Sequence, residues 1–295
     1  MRFLVVSPRY YHKSEGVVVL HQLANDLRGL GHKAGIIWLD VNNTNCDTFL
    51  INHSPRTSGL LYSDLVIENF DDYNPELDIV IYPEIVPGNP LAAKRVVRYF
   101  LNREGFCLKN NRVNPDPSDF IMAFHPEYVD QPKLIVFKPT FDLSKVEGVE
   151  ALEKHLNTYY VGKAIMDIKI PIIGGALNLD QIENKAEYER TLLQAKYVFT
   201  YDPITSVIRD AILFGAIPVI VNHRPWKPEK IIENYKEQPV MDLCTGRNIH
   251  LMCNQLEFWS QRLKMIETIR MQQAAYRHNL IEFTEAVKQH FSLAI

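Results

Sequence analysis

Residues 197–221 read YVFTYDPITSVIRDAILFGAIPVIV, and this stretch restricts the fold more tightly than any other. An apolar run at 197–200 ends at Tyr201-Asp202-Pro203. A helical pattern follows, Gly215 stops it, and a second apolar run covers 217–221. Strand, helix, Gly stop and strand make a βαβ unit, which commits its strands to a parallel sheet. The loop sets Asp202, Thr205 and Ser206 at the start of the helix. Free backbone N–H groups there favour an anion such as a diphosphate. Asp210 lies eight residues after Asp202, about two turns further along at 3.6 residues per turn.

In its run of Asp202-x7-Asp210-Ala211, apolar stretch, Gly215 and Pro218-Val219-Ile220, this segment resembles the nucleotide-binding element of two-domain (GT-B type) glycosyltransferases. The family pattern carries two Glu, and both are Asp here, one methylene shorter. The resemblance implies that Asp202 faces the donor sugar and that Asp210 accepts hydrogen bonds from the nucleotide ribose. The plain alternative is an ordinary βαβ unit with solvated carboxylates.

The N-terminus is similar to the same family's opening. A buried strand at 2–7 leads through a loop to Gly16, and Leu20, Leu23, Ala24 and Leu27 then recur at helical spacing before a strand at 34–39. With no Cβ at Gly16, donor phosphates or acceptor could come close to the backbone there. Gly29-x-Gly31-x-x-Ala34 formally matches a dinucleotide fingerprint. It falls at the end of a helix, so it reads as a helix stop and disfavours a nicotinamide enzyme.

Two further segments carry chemistry. In Tyr160-Val161-Gly162-Lys163 the resemblance gives Lys163 the donor diphosphate, a point charge beside a Gly turn. Arg209 competes for that role, but helix geometry turns it about 100° away from Asp210. The other segment is a strand at 78–82 followed by Glu84, Gly88 and Asn89, ahead of a helix expected over 92–101. Ligands of open α/β sheets bind at the carboxyl ends of strands, so Glu84 and Asn89 are cleft candidates. Glu84 binds acceptor hydroxyls, acts as base, or merely caps its loop. Lys94, Arg95, Arg98 and Arg103 make either a solvated face, an anionic acceptor site or a membrane-surface patch. His125 is a weaker candidate after the strand at 119–124.

The 295 residues leave room for two domains of ordinary size. Strand–helix alternation argues for an α/β fold of two doubly wound, parallel-sheet Rossmann-like domains facing a cleft. The expected boundaries are 1–150 for an acceptor-side domain, 151–270 for a nucleotide-sugar domain, and 271–295 for the end of a C-terminal helix. By resemblance that helix, patterned over 254–291, crosses back to the first domain. Further strands are expected at 64–67 and 168–172.

A net charge of −3 gives no nucleic-acid footprint. No Asp-x-Asp, P-loop, G-x-S-x-G or H-E-x-x-H occurs. No metal ligand set and no cofactor is expected, only a nucleotide-sugar co-substrate. The four cysteines are widely spaced and no leader segment precedes the first strand, which reads as free thiols of a reducing cytoplasm. The expected partners are a nucleoside-diphosphate sugar and a glycan or lipid-linked acceptor, with a peripheral membrane contact allowed and no nucleic acid. The expected activity is sugar transfer in bacterial surface polysaccharide or lipopolysaccharide synthesis. A sugar-nucleotide epimerase on the same fold, and a nucleotide-sugar binder without turnover, are the alternatives.

Overall fold

The computed structural model describes residues 1–41, 49–52, 73–104, 113–162, 174–223, 227–235, 238–244 and 255–293. The strands expected at 64–67 and 168–172, and Lys163, lie outside these. The chain divides into two compact units, one of Met1–Thr140 with Gln272–Ile295 and one of Phe141–Met271.

The first unit is built on seven strands: β1 (Arg2–Ser7), β2 (Lys33–Val41), β3 (Phe49–Asn52), β4 (Ile79–Pro83), β5 (Arg95–Phe100), β6 (Phe120–Ala123) and β7 (Leu134–Ile135). Their order in the sheet is β3-β2-β1-β4-β5-β6-β7. Only β3 runs antiparallel to its neighbour. Phe3 to Val6 and Ile79 to Tyr82 are buried on both faces, the continuous apolar reading of central parallel strands. Helix α1 (Glu15–Gly29) turns Leu20, Leu23, Ala24 and Leu27 inward. Gly31, at φ 85°, takes the left-handed conformation of a helix stop just beyond it. The strand order reverses between β1 and β4, which makes their carboxyl ends a switch point where such sheets bind ligands.

The segment 92–101 holds the strand β5, Arg95–Phe100, and not the expected helix. Val96, Val97, Tyr99 and Phe100 are β-branched or aromatic and buried, and their fit to a pleated sheet outweighs the helical spacing of the charges. The basic cluster therefore disperses. Arg98 is only 2% exposed. Its Nε donates to Asp119 at 2.8 Å, Nη1 to the Val86 carbonyl at 3.1 Å, and Nη2 to the Gly88 carbonyl. Lys94 pairs with Glu76 and Arg103 with Glu127. Arg98 is a buried brace for the loop after β4, neither solvated face nor acceptor site.

The second unit is a five-stranded parallel sheet in the order β12-β11-β10-β8-β9. The strands are β8 (Leu156–Tyr160), β9 (Leu177–Asn178), β10 (Ala195–Thr200), β11 (Ile217–Ile220) and β12 (Met241–Asp242). Helices α2 (Lys185–Gln194), α3 (Ser206–Leu213) and α4 (Pro228–Tyr235) connect them. Here the order reverses between β8 and β10. Gly215, at φ 77°, ends α3 against Trp259 and Val149, which a Cβ would approach to 2.8 Å. Only glycine satisfies both constraints.

Helix α5 (Gln255–His290) contributes to both cores. Ile266 and Ile269 pack in the second unit, while Tyr276, Leu280, Phe283 and Val287 pack in the first. Arg262 is buried and donates to the carbonyls of Leu213 and Val146 at 2.9 Å each, closing the C-terminus of α3. Among the described residues, no helix is long and apolar enough to cross a membrane.

Candidate functional site

At the switch point of the second unit, β8 runs out into Val161 and Gly162. Gly162 has φ 53°, and a Cβ there would stand 2.5 Å from the Tyr160 ring and 3.0 Å from Asp202 Oδ2. The position therefore demands glycine. The Val161 and Gly162 N–H groups both donate to the Asp180 carboxylate, at 2.7 and 3.0 Å. Two successive amides aimed at one anion form a nest, and here its occupant is a side chain of the same unit. The sequence reading missed Asp180. Its only local signal is the Asn178-x-Asp180 turn, in which the Asp180 N–H donates to Asn178 Oδ1 at 2.9 Å.

At the neighbouring strand end, Asp202 is 1% exposed. Its Oδ1 accepts from the Ile204 N–H at 3.3 Å, and its carbonyl accepts from Thr200 Oγ1 at 2.7 Å. Tyr235, at the end of α4, lies close enough to feel it. Burial and the Asp202 charge together push the Tyr235 phenol well above its ordinary range, while the Thr205 N–H donates to that phenol. Tyr235 thus stays protonated beside the carboxylate. Thr205 is the N-cap of α3, its Oγ1 accepting from the Val207 N–H at 3.4 Å, and Ser206 is the first helical residue. A cap hydroxyl and the positive end of the helix dipole are what an anion meets at a helix start.

Asp210 is also buried, at 8% exposure. Oδ2 accepts from the Tyr188 hydroxyl at 3.3 Å, and Oδ1 from Arg209 Nη2 at 2.9 Å and Nε at 3.2 Å. This corrects the expectation that Arg209 points away. The Cα directions diverge as helix geometry requires, but a long guanidinium arm folds back onto the next residue. Burial first, and the Asp210 charge second, hold the Tyr188 phenol far above its usual range. Arg209, Asp210 and Tyr188 form one hydrogen-bonded group.

In the first unit, Glu84 follows β4 and its Oε2 accepts from the Leu101 N–H at 3.0 Å. The backbone N–H groups of Glu84 itself and Asn102 also donate to it. Burial pushes its carboxyl up to about 7 in spite of these three donors. The side chain ties the ends of β4 and β5 together. Asn89 does not present a free amide. Its Oδ1 accepts from the Tyr82 hydroxyl and the Ala93 N–H, both at 3.1 Å, and Nδ2 donates to the Ala93 carbonyl at 2.7 Å. These bonds close the 89–93 loop, so the binding role expected of Asn89 gives way to a structural one. Gly16 is likewise corrected: it lies inside α1, and a Cβ would make only ordinary contact with Leu101 at 3.6 Å. His21 Nε2 lies 3.1 Å from the Pro8 carbonyl, and burial lowers its pKa, leaving a neutral structural histidine. His125 is exposed, its Nδ1 accepting from the Glu127 N–H at 3.3 Å. A recess of about 500 Å³, lined by Arg2, Lys33 and Asp78 among others, opens at the amino end of this sheet, away from the switch point.

No family model matches the chain, and the comparison with curated proteins found no match. The chain is similar to several solved structures. One is the glycosyltransferase VinC in complex with dTDP, 11% identical over 100% of both chains, with a TM-score of 0.47. A second is an α-glucosyltransferase in complex with UDP and a 13-mer DNA containing a central A:G mismatch, 13% identical over 98% of this chain and 96% of that one, with a TM-score of 0.42. A third is an α-glucosyltransferase in complex with UDP, also 13% identical over 98% and 96%, with a TM-score of 0.40. Two of the similar structures hold DNA, a finding that stands against the expectation of no nucleic-acid partner. Net charge averages over a whole chain, so a value of −3 does not exclude such a partner.

Proposed function

We propose that this protein is a glycosyltransferase of the two-domain GT-B type, moving a sugar from a nucleoside-diphosphate sugar to a glycan or lipid-linked acceptor. The observation that supports it most is what meets at the switch point of the second unit. The ends of β8 and β10 bring together a glycine turn, the buried carboxylate of Asp202 and the N-terminus of α3. That is where an open α/β sheet takes a nucleotide.

In this reading the second unit holds the nucleotide sugar and the first takes the acceptor. The diphosphate lies at the start of α3, beside Thr205 and Ser206, with the cation of Lys163 meeting its charge and with no cofactor needed. Asp210, oriented by Arg209 and Tyr188, accepts from the ribose hydroxyls, and Asp202 faces the sugar. The bond between the anomeric carbon and the diphosphate oxygen breaks as the acceptor oxygen bonds to that carbon. The acceptor proton goes to a base; Glu84, at the carboxyl end of β4, is the candidate in the first unit, and serving as base requires it to give up at least one of the three backbone N–H groups that now donate to it. The resemblance of the Asp-x7-Asp motif to the family's Glu-x7-Glu leans toward retention of the anomeric configuration, which requires the acceptor oxygen to arrive on the face that the diphosphate leaves. We place the reaction in bacterial surface polysaccharide or lipopolysaccharide synthesis, in the cytoplasm at the inner face of the membrane.

Thermal shift over a panel of nucleotide sugars tests donor binding, because a ligand of the native state raises apparent stability. The shifting donor is then incubated with glycan, glycolipid and DNA acceptors. Release of nucleoside diphosphate in proportion to acceptor supports transfer. Interconversion of two sugar nucleotides without acceptor makes the protein an epimerase, and binding without either reaction makes it a non-catalytic binder.

A further inference from the structure

We propose that His223, Asp242 and Cys244 form a zinc-class metal site at the carboxyl ends of β11 and β12. The parallel register pairs Val219 with Met241 and Ile220 with Asp242. It therefore brings His223, three residues beyond the end of β11, beside the last residue of β12. His223 Nε2 lies 2.8 Å from Asp242 Oδ2, and the Cys244 N–H donates to Asp242 Oδ1 at 2.9 Å. The imidazole nitrogen, carboxylate oxygen and Cys244 Sγ all lie within 4.8 Å of one another. The His223 and Asp242 side chains are 10% and 8% exposed, while the Cys244 thiol is free and its residue exposed. Two arms are thus largely buried, one at the end of β12 and one just past β11, and the third faces solvent.

The donor set favours the ion. Nitrogen, oxygen and sulfur together suit zinc rather than a hard cation such as calcium or magnesium. Bonds of roughly 2.0–2.3 Å to a tetrahedral ion put neighbouring ligand atoms about 3.3–3.8 Å apart. The His223–Asp242 pair needs to open slightly, and the thiol needs to close by one side-chain rotation. The ion takes the place of the Nε2 proton, which moves to Nδ1. The Cys244 thiol gives its proton to solvent, and a fourth position stays open to water. Binding through the thiolate therefore releases a proton.

This inference does not depend on sugar transfer, and its readouts involve no turnover. Cobalt(II) titration of the full chain should raise a near-ultraviolet thiolate-to-cobalt charge-transfer band, which only a coordinated sulfur gives. Zinc should displace the cobalt and remove the band. Cys244→Ser should abolish the band and weaken zinc by more than roughly 100-fold, beyond the cost of losing only an outer supporting partner. His223→Gln should weaken zinc comparably, and circular dichroism with thermal unfolding checks that both variants fold. A band that persists in Cys244→Ser would assign the sulfur to Cys46, Cys107 or Cys253 and overturn the site. So would zinc affinity unchanged in either folded variant.

Discussion

The carboxyl ends of the two sheets carry the same kind of group in different surroundings. In the first unit, Glu84 is turned into its own loops, where three backbone N–H groups donate to it and burial pushes it up to about 7. In the second unit, acids stand around an obligatory glycine and a helix start. Asp180 occupies the Val161–Gly162 amides, Asp202 backs against Gly162, and Asp210 is oriented by Arg209 and Tyr188. The first arrangement costs stability when the group ionises. The second sets fixed dipoles and charges beside a helix start, the kind of polar surroundings in which an anion is favoured. A strand end alone therefore does not identify a site; what surrounds the carboxylate does.

The largest expected effect tests the first-unit half of that contrast. The folded Glu84 carboxyl titrates near 7 against an unfolded 4.5. The stability it contributes is full below about 4.5 and is lost as pH rises through about 7, up to ~3 kcal/mol. Denaturant unfolding of Glu84→Gln across that range should show the wild type losing ground to the variant as pH rises. A difference independent of pH would mean that Glu84 ionises freely and that the two sheet ends are alike.

The next effect belongs to the second unit. Lys163→Met keeps the stem and removes the charge proposed to meet the leaving diphosphate. Steady-state kinetics should show kcat down by roughly a hundredfold, about 2.7 kcal/mol, with a smaller change in donor KM. Lys163→Arg should recover only part of this. Wild-type turnover in the Met variant would leave the α3 N–H groups to carry the leaving group alone.

Asp210→Ala should weaken nucleoside-diphosphate binding by about 1–3 kcal/mol, the cost of losing charge-assisted hydrogen bonds. Arg209 and Tyr188 lose their partner in the same variant, so unfolding stability should fall too. Calorimetry with the diphosphate separates the two roles: unchanged affinity in a less stable protein would make Asp210 purely structural.

The smallest effect compares two glycines. Gly162→Ala meets the Tyr160 ring and a positive φ and should cost on the order of 1–3 kcal/mol. Gly16→Ala meets only ordinary contact inside a helix and should raise stability by about 0.5–1 kcal/mol. Thermal unfolding of both variants checks the pair, and equal losses would return Gly16 to the role first expected of it.

The legible parts of the fold were those in which one local signal stood unopposed. The run from β10 through α3 to β11 carries strand period, helix period and a glycine stop in succession, so its type and order could be read directly. The α5 pattern survived for the same reason, over a length in which no Pro or Gly interrupts it. Residues 92–101 carry two signals at once, charges at helical spacing and β-branched or aromatic residues between them. Burial between β4 and β6 resolved that conflict, because it rewards the pleated surface and pairs Arg98 with Asp119.

The sequence by itself determined that residues 197–221 run strand, helix, strand, that Asp202 and Asp210 lie about two turns apart, and that Gly215 ends a helix. These follow from short-range periodicity and backbone conformation. Only the tertiary structure decided what each polar group touches. Asp180 reaches the Gly162 amides from 18 residues away, Tyr188 reaches Asp210 across 22, and His223 meets Asp242 across 19. Such pairings are set by strand order and register, which bring distant positions together at one sheet edge, and no local pattern encodes them.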